Sequence, residues 1–234
     1  MSSKHTFTQY DDELDTLRRR VGLMGKQVCQ QVLDAIEALS SEDMALAESV
    51  IEREKAINRE EVDLDELCVE IIIRHAPTAG DLRLLMATMQ MITDLERVGD
   101  EAKKIAKAAR KIIDADAATT PNIEMRMIAE RAVAMLDKAI DAFMRRDTSA
   151  AAELAREDKK IDTAFKGITR QLATYMMEDP RLITRALDVL FIAKSIERVG
   201  DHATNVAEYV VYMVKGRDVR HENIAEVERA VGED

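Results

Sequence analysis

The sequence predicts an all-α protein built as two tandem, sequence-related three-helix bundles. Three observations carry that prediction. Aromatic residues make up only 3 % of the 234 residues, with no Trp and three prolines, Pro77, Pro121 and Pro180. A sandwich or barrel draws on β-branched and aromatic residues and on frequent Gly/Pro turns, so both are disfavoured. Long stretches rich in Ala, Leu, Glu, Lys, Arg and Met carry apolar residues at helical spacing. Finally, a six-residue segment recurs one half-chain later, which marks an internal repeat.

The elements follow in order. Val21, Val28, Val32, Ile36 and Leu39 make one face of a first helix over about residues 11–39. Ser40-Ser41 breaks it, and Ser41 is expected to N-cap the second helix. That helix carries Val50, Ile57, Leu64 and Ile71 at seven-residue spacing and runs to about His75. Ala76-Pro77-Thr78-Ala79-Gly80 is a turn. A third helix over about 81–113 places Ile92, Leu95, Val98, Ala102, Ile105 and Ala109 on one face. Asp114 to Pro121 is short, small and polar, and reads as the linker between units 1–117 and 118–234. Three further helices are expected at about 122–145, 148–177 and 181–215, with a charged tail from Arg217 that frays or forms a short helix.

The repeat ties the halves together. Leu95-Glu96-Arg97-Val98-Gly99-Asp100 recurs as Ile196-Glu197-Arg198-Val199-Gly200-Asp201, an offset of 101. Upstream the offset is 104, matching Val32, Ile36, Asp43, Val50, Glu54 and Ile57 to Leu136, Ile140, Asp147, Leu154, Asp158 and Ile161. The difference fits a longer turn between the second and third helices of the first copy. Short turns make successive helices antiparallel.

Charge and cysteine usage exclude several functions. The formal net charge is −11, whereas nucleic-acid binding draws on clustered Lys and Arg. Met1 to Tyr10 lacks the apolar core of a signal peptide, and the longest apolar run, Tyr209 to Val214, is far short of a membrane span. A cytoplasmic protein is expected. Cys29 and Cys68 fall at apolar helical positions and read as small buried thiols. The thirteen Met residues read as core filling.

The acids are the informative chemistry. Residues i and i+4 of a helix share a face about 6 Å apart, so Glu96/Asp100 and Glu197/Asp201 are stacked carboxylate pairs beside the apolar stripe. Glu208 falls on the same ridge as the second pair, with Asn205 beside it; Lys104 and Lys107 hold those places in the first copy. On the fifth helix, Asp158 occupies a core-type position between Leu154 and Ile161, with Asp162 one turn on. On the second, Glu54 and Glu61 interrupt the Val50, Ile57, Leu64 seam, flanked by Asn58 and Asp65. Carboxylates on a core stripe are costly unless paired or bound to a cation. Two helices each offering such a pair can build an oxygen-rich site for Mg²⁺, Mn²⁺, Fe or Zn²⁺. The expectation is one acidic metal site per half, the second better supplied with ligands. The competing reading is a solvated acidic face neutralised by Arg97, Arg198, Lys55 or Lys159. Gly99 and Gly200, each costing about 1 kcal/mol against Ala inside a helix, suggest close helix approach at the same place in both copies.

The histidines are weaker candidates. His202 lies about 140° around its helix from Glu197, which favours a surface role over ligation. His75 closes the second helix, and His5 and His221 lie near the termini. There is no Glu-x-x-His, P-loop, Gly-rich dinucleotide motif or Cys/His zinc pattern, and nothing resembles a nucleophile with a nearby base.

These residues carry a resemblance. Pro77-Thr78-Ala79-Gly80-Asp81-Leu82-Arg83, the two Glu-Arg-Val-Gly-Asp repeats, Arg156-Glu157-Asp158-Lys159-Lys160-Ile161-Asp162, Tyr175-Met176-Met177-Glu178-Asp179 and Tyr212-Met213-Val214-Lys215-Gly216-Arg217-Asp218 are similar to the PhoU family across nearly the whole chain. The resemblance implies two similar three-helix bundles and a non-enzymatic negative regulator of the phosphate regulon. Such a protein links a Pst-type phosphate ABC transporter, through its ATPase subunit, to a sensor histidine kinase at the inner face of the membrane. It meets the membrane only through those partners and is expected to form a homodimer. The family binds multinuclear clusters of divalent or trivalent metal ions (Fe, Zn, Mn or Mg) through E/D-x-x-x-D motifs. Here these are Glu96/Asp100, Glu197/Asp201 followed by Asn205, and Asp158/Asp162. The fourth runs from Glu54 to Asn58 and lacks its final acid, which with Lys104 and Lys107 puts the first-half site in question. Two other classes stand beside this reading. A metal-free helical adaptor is separated from it by elemental analysis, and a carboxylate-bridged metalloenzyme by turnover of phosphoesters.

Overall fold

The computed structural model describes residues 4–114, 123–220, 222 and 224–232. Seven α-helices are present among them: α1 (Lys4–Ser41), α2 (Met44–His75), α3 (Ala79–Asp114), α4 (Arg126–Arg145), α5 (Ala150–Glu178), α6 (Ile183–Lys215) and α7 (Ile224–Gly232). A single 3₁₀ turn, Pro180–Leu182, joins α5 to α6. The expected linker beyond Asp114, the boundary between residues 117 and 118, and His221 lie outside the described residues.

Helix ends follow local chemistry. α1 begins earlier than the expected residue 11 because its buried stripe already starts at Tyr10 and Leu14. Ser41 does not cap α2. Its hydroxyl bonds back to Glu37 O at 2.8 Å and finishes α1, while Asp43 takes the cap by accepting from the Leu46 N–H at 2.9 Å. Ala76 ends α2 in the left-handed region at φ 45°, donating its N–H to Ile72 O. The charged tail forms α7, which seats Val227 and Ala230 and pairs Glu228 with Arg156 of α5. Cys29 and Cys68 are free and buried as expected, and burial pushes both thiols up to about 12. No helix is long and apolar enough to cross a membrane among the described residues.

α1, α2 and α3 form one bundle, and α4, α5 and α6 the other. The two share one continuous apolar core through α3 against α6 and α1 against α4. The α1–α4 seam is tight: a Cβ on Gly25 would lie 2.6 Å from Ile140 Cδ1, so the helices close because residue 25 has no side chain. α3 and α6 run antiparallel, since Arg83 lies against Gly216, Glu101 against Arg198 and Lys111 against Asp188.

The α3–α6 seam carries two buried acids. Asp94 of α3 is 1 % exposed. Its carboxylate accepts from Tyr209 Oη at 2.6 Å and Asn205 Nδ2 at 3.3 Å, and meets His202 Nδ1 at 2.7 Å, all from α6. Arg97 stands 3.7 Å away on the same helix. Glu101, 3 % exposed, accepts from Arg198 Nη1 at 3.1 Å across the seam and pairs with Lys104 at 2.9 Å. The surface role expected for His202 is therefore corrected. The ring turns inward because a buried carboxylate on the neighbouring helix offers it a charge-assisted partner.

Burial raises the Asp94 carboxyl, but its bonds to His202 and Tyr209 outweigh that and hold it below the ordinary carboxylate range. An acid depressed in the folded state adds stability that is present above its unfolded pKa of about 4 and is lost as pH falls through the folded value. Tyr209→Phe should therefore cost about 1.5–3 kcal/mol at pH 7 by urea unfolding, the usual worth of a hydrogen bond to a charged group. The gap between variant and parent should narrow once the pH drops below about 4.

Candidate metal centre

In the second half, Asp158 and Asp162 stand one turn apart on α5 and face Glu197 and Asp201 of α6. One oxygen from each of Asp158, Asp162 and Asp201 lies within 4.8 Å of the others. The repeat glycine makes this approach possible. A Cβ on Gly200 would sit 3.1 Å from Asp158 Oδ1 and 3.2 Å from Ile161 Cδ1, so the carboxylate rests against bare α6 backbone. Asp201 is the exposed member of the group, while Glu197, 12 % exposed, pairs with Lys194, whose ammonium also lies 5.5 Å above the Phe165 ring.

The electrostatics of this cluster are unbalanced. Burial, then Asp201, Asp162 and Glu197, push Asp158 up to about 7. Burial and then Glu197 raise Asp201 as well. Asp158 Oδ1 and Thr204 Oγ1 are both buried without a hydrogen-bond partner among the described residues. Such groups are relieved by a proton or by a cation. Several carboxylate oxygens, one of them orphaned, match the donor set of a hard divalent or trivalent ion. The second-half residues therefore fit a metal.

The first half has the same backbone and different chemistry. Oxygens of Glu54, Glu96 and Asp100 lie within 4.8 Å of one another. Glu54 is 2 % exposed, and both of its oxygens are engaged: Asn58 Nδ2 donates to Oε1 at 2.7 Å, and Lys103 Nζ lies 2.8 Å from Oε2. Burial raises Glu54, but the bonds from Lys103 and Asn58 prevail and hold it below the ordinary range. Burial, followed by Asp100, Glu61 and Glu54, raises Glu96.

Other expected site residues fall elsewhere. Asn205 faces Asp94 rather than the second cluster, because one further turn carries it onto the α3–α6 seam. Glu208 lies beside Tyr209, Tyr212, Asp218 and Arg220, where burial pushes it up to about 7. Lys104 pairs with Glu101, and Lys107 is exposed. Sequence reasoning passed over Asp94, Glu101 and Lys103. The signal for Asp94 was its place on the buried stripe, three residues after Met91 and four before Val98. Asp100 of α3 and Asp201 of α6, one from each cluster, line a single cleft of about 410 Å³ together with Arg97 and Arg198.

A Gly200→Ala variant should weaken Mn²⁺ binding by about tenfold or more, as loss of an orienting contact does. Gly99→Ala, whose Cβ meets Ile57 Cγ2 at 3.2 Å and no acid, should leave it unchanged. Equilibrium dialysis of both variants checks this.

Comparison with known proteins agrees with the duplicated architecture. The PhoU domain matches this chain twice, over residues 21–109 and 125–210. A phosphate-specific transport system accessory protein PhoU homologue of Burkholderia sp is 45 % identical over 225 residues, covering 94 % of this chain and 95 % of that protein. The phosphate-specific transport system accessory protein PhoU of Escherichia coli K12 is 44 % identical over 219 residues, 94 % of this chain and 90 % of the other. The crystal structure of PhoU from Pseudomonas aeruginosa superposes with a TM-score of 0.84 at 41 % identity, covering 89 % of this chain and 100 % of that one. A phosphate transport system regulatory protein PhoU from Streptococcus pneumoniae gives 0.82 at 27 % identity, over 90 % and 99 % of the two chains. Two matched domains, full-length relatives and the same helical architecture together mean that this chain belongs to the PhoU family.

Proposed function

We propose that this protein is a non-enzymatic accessory protein of phosphate transport. It restrains uptake and keeps the phosphate regulon off when phosphate is plentiful. The observation that carries this reading is coverage: the match to a phosphate-specific transport accessory protein spans 94 % of this chain and 95 % of that relative. A match of that extent leaves no domain of the relative unaccounted for.

The finer reading follows from how an adaptor works. A protein without catalysis changes its partners only by binding one of their states more tightly than another. The partners proposed are the ATPase subunit of a phosphate ABC transporter and a sensor histidine kinase, met at the cytoplasmic face of the membrane, with a homodimer as the assembly. A metal ion held by Asp158, Asp162 and Asp201, with Glu197 beside them, would supply the missing positive charge between α5 and α6. Orphaned Asp158 Oδ1 and the elevated Asp158 carboxyl support that role. The chain's own contribution is to hold those acids on two helices whose spacing shapes the outer surface.

The chain immobilised on resin should retain both the ATPase subunit and the kinase from detergent-solubilised membranes of phosphate-replete cells. Recovery should fall several-fold from starved cells. Equal recovery under both conditions, or of neither protein, contradicts the coupling role.

A further inference from the structure

The two halves match at backbone level, yet their acid clusters differ: Glu61 and Asp65 of the first half stand where the second has Phe165 and Thr169, and the residues around Glu54 and Asp158 are exchanged. With the offsets of the repeat, Glu54, Glu96 and Asp100 correspond to Asp158, Glu197 and Asp201, whereas Asn58 corresponds to Asp162 and Lys103 to Thr204. In the first half these two residues satisfy both oxygens of buried Glu54, at 2.7 and 2.8 Å. The orphaned oxygens there, among the described residues, are Asn58 Oδ1 and Asp65 Oδ1 rather than those of Glu54. In the second half the exchange leaves Asp158 Oδ1 and Thr204 Oγ1 without partners among the described residues. Lys194 does not replace Lys103 there, since it reaches Glu197 and not Asp158.

We propose that the first half carries its cation in its own sequence: the Lys103 ammonium holds the place beside Glu54 that a metal ion would take in the second half. A lysine ammonium is a compact point charge with three donors on a flexible stem, and from α3 it spans the gap to α2 as an ion would. Lys103 thereby withdraws Glu54 from the ligands open to a metal, and the pseudo-symmetric chain accepts an ion through the second-half cluster alone. This rests on reading the second-half cluster as a metal centre.

The test is Mn²⁺ titration of the chelator-stripped full-length chain, counting bound ions by the electron paramagnetic resonance signal of free Mn²⁺. In an Asp158→Asn/Asp201→Asn background, Mn²⁺ binding should be lost. Adding Lys103→Thr, the residue of the second half, or Lys103→Met should restore a binding event at least tenfold tighter than that background. Asn58→Asp with Lys103 retained should restore none. Binding that persists in the double variant and disappears on adding Glu54→Gln overturns the proposal, as does recovery with Asn58→Asp alone. Should the Lys103 variants lose their helical circular dichroism, Glu54→Gln in the native chain decides: unchanged Mn²⁺ stoichiometry supports the proposal, and a fall by half overturns it. If the native chain binds no Mn²⁺, the second-half reading fails; Lys103→Thr then still supports the proposal by gaining a site and overturns it by gaining none.

Discussion

A carboxylate buried between the two halves organises this molecule. Asp94 is 1 % exposed, and three of the four groups around it come from the other bundle. Removing a partner while that carboxylate stays buried commonly costs about 3–5 kcal/mol, so the α6 groups and Asp94 hold one another in place. Glu101 repeats the arrangement about two turns further along, reaching Arg198. The two acids pin α3 antiparallel to α6, and that register brings Asp100 and Asp201 into one cleft. Without the seam, the acid clusters would be two unrelated patches.

Duplication explains the backbone and divergence explains the chemistry. Within the seam and the clusters, Glu96, Arg97 and Asp100 recur unchanged, but four other positions related by 101 residues have parted: Asp94 and Ser195, Glu101 and His202, Lys103 and Thr204, Lys104 and Asn205. An antiparallel contact between two copies of one helix would bring like residues close to one another about its midpoint. Changing one member of each pair turns like-with-like contacts into acid with histidine, acid with arginine and carboxylate with amide. The glycines stayed the same in both copies because their task is steric. Each lets a partner helix lie within ordinary contact of bare backbone, with Ile57 against Gly99 and Asp158 against Gly200.

Much of this was legible in the sequence. The stripes beginning at Val21, Val50 and Ile92 located the helices, and the repeat divided the chain into two bundles. Asp158, an acid in a core seam, pointed directly to the cluster where the structure finds it. What escaped depended on helix rotation and on neighbours distant in sequence. Lys103, Lys104 and Lys107 are alike in composition, but successive residues point about 100° apart, and only Lys103 faces α2. His202 looked peripheral because its partner, Asp94, lies on another helix 108 residues away. Asp43 rather than Ser41 capped α2 because the turn needed one more residue in the left-handed region, Glu42 at φ 55°.

The claim that most else rests on is that the buried seam makes the two bundles one cooperative unit. Scanning calorimetry of the full chain at neutral pH tests it most directly. A locked seam gives a single transition whose calorimetric and van't Hoff enthalpies agree, with a ratio of about 1. Two resolved transitions, or a ratio approaching about 2, would mean that the bundles unfold separately and that the Asp94 seam does not join them.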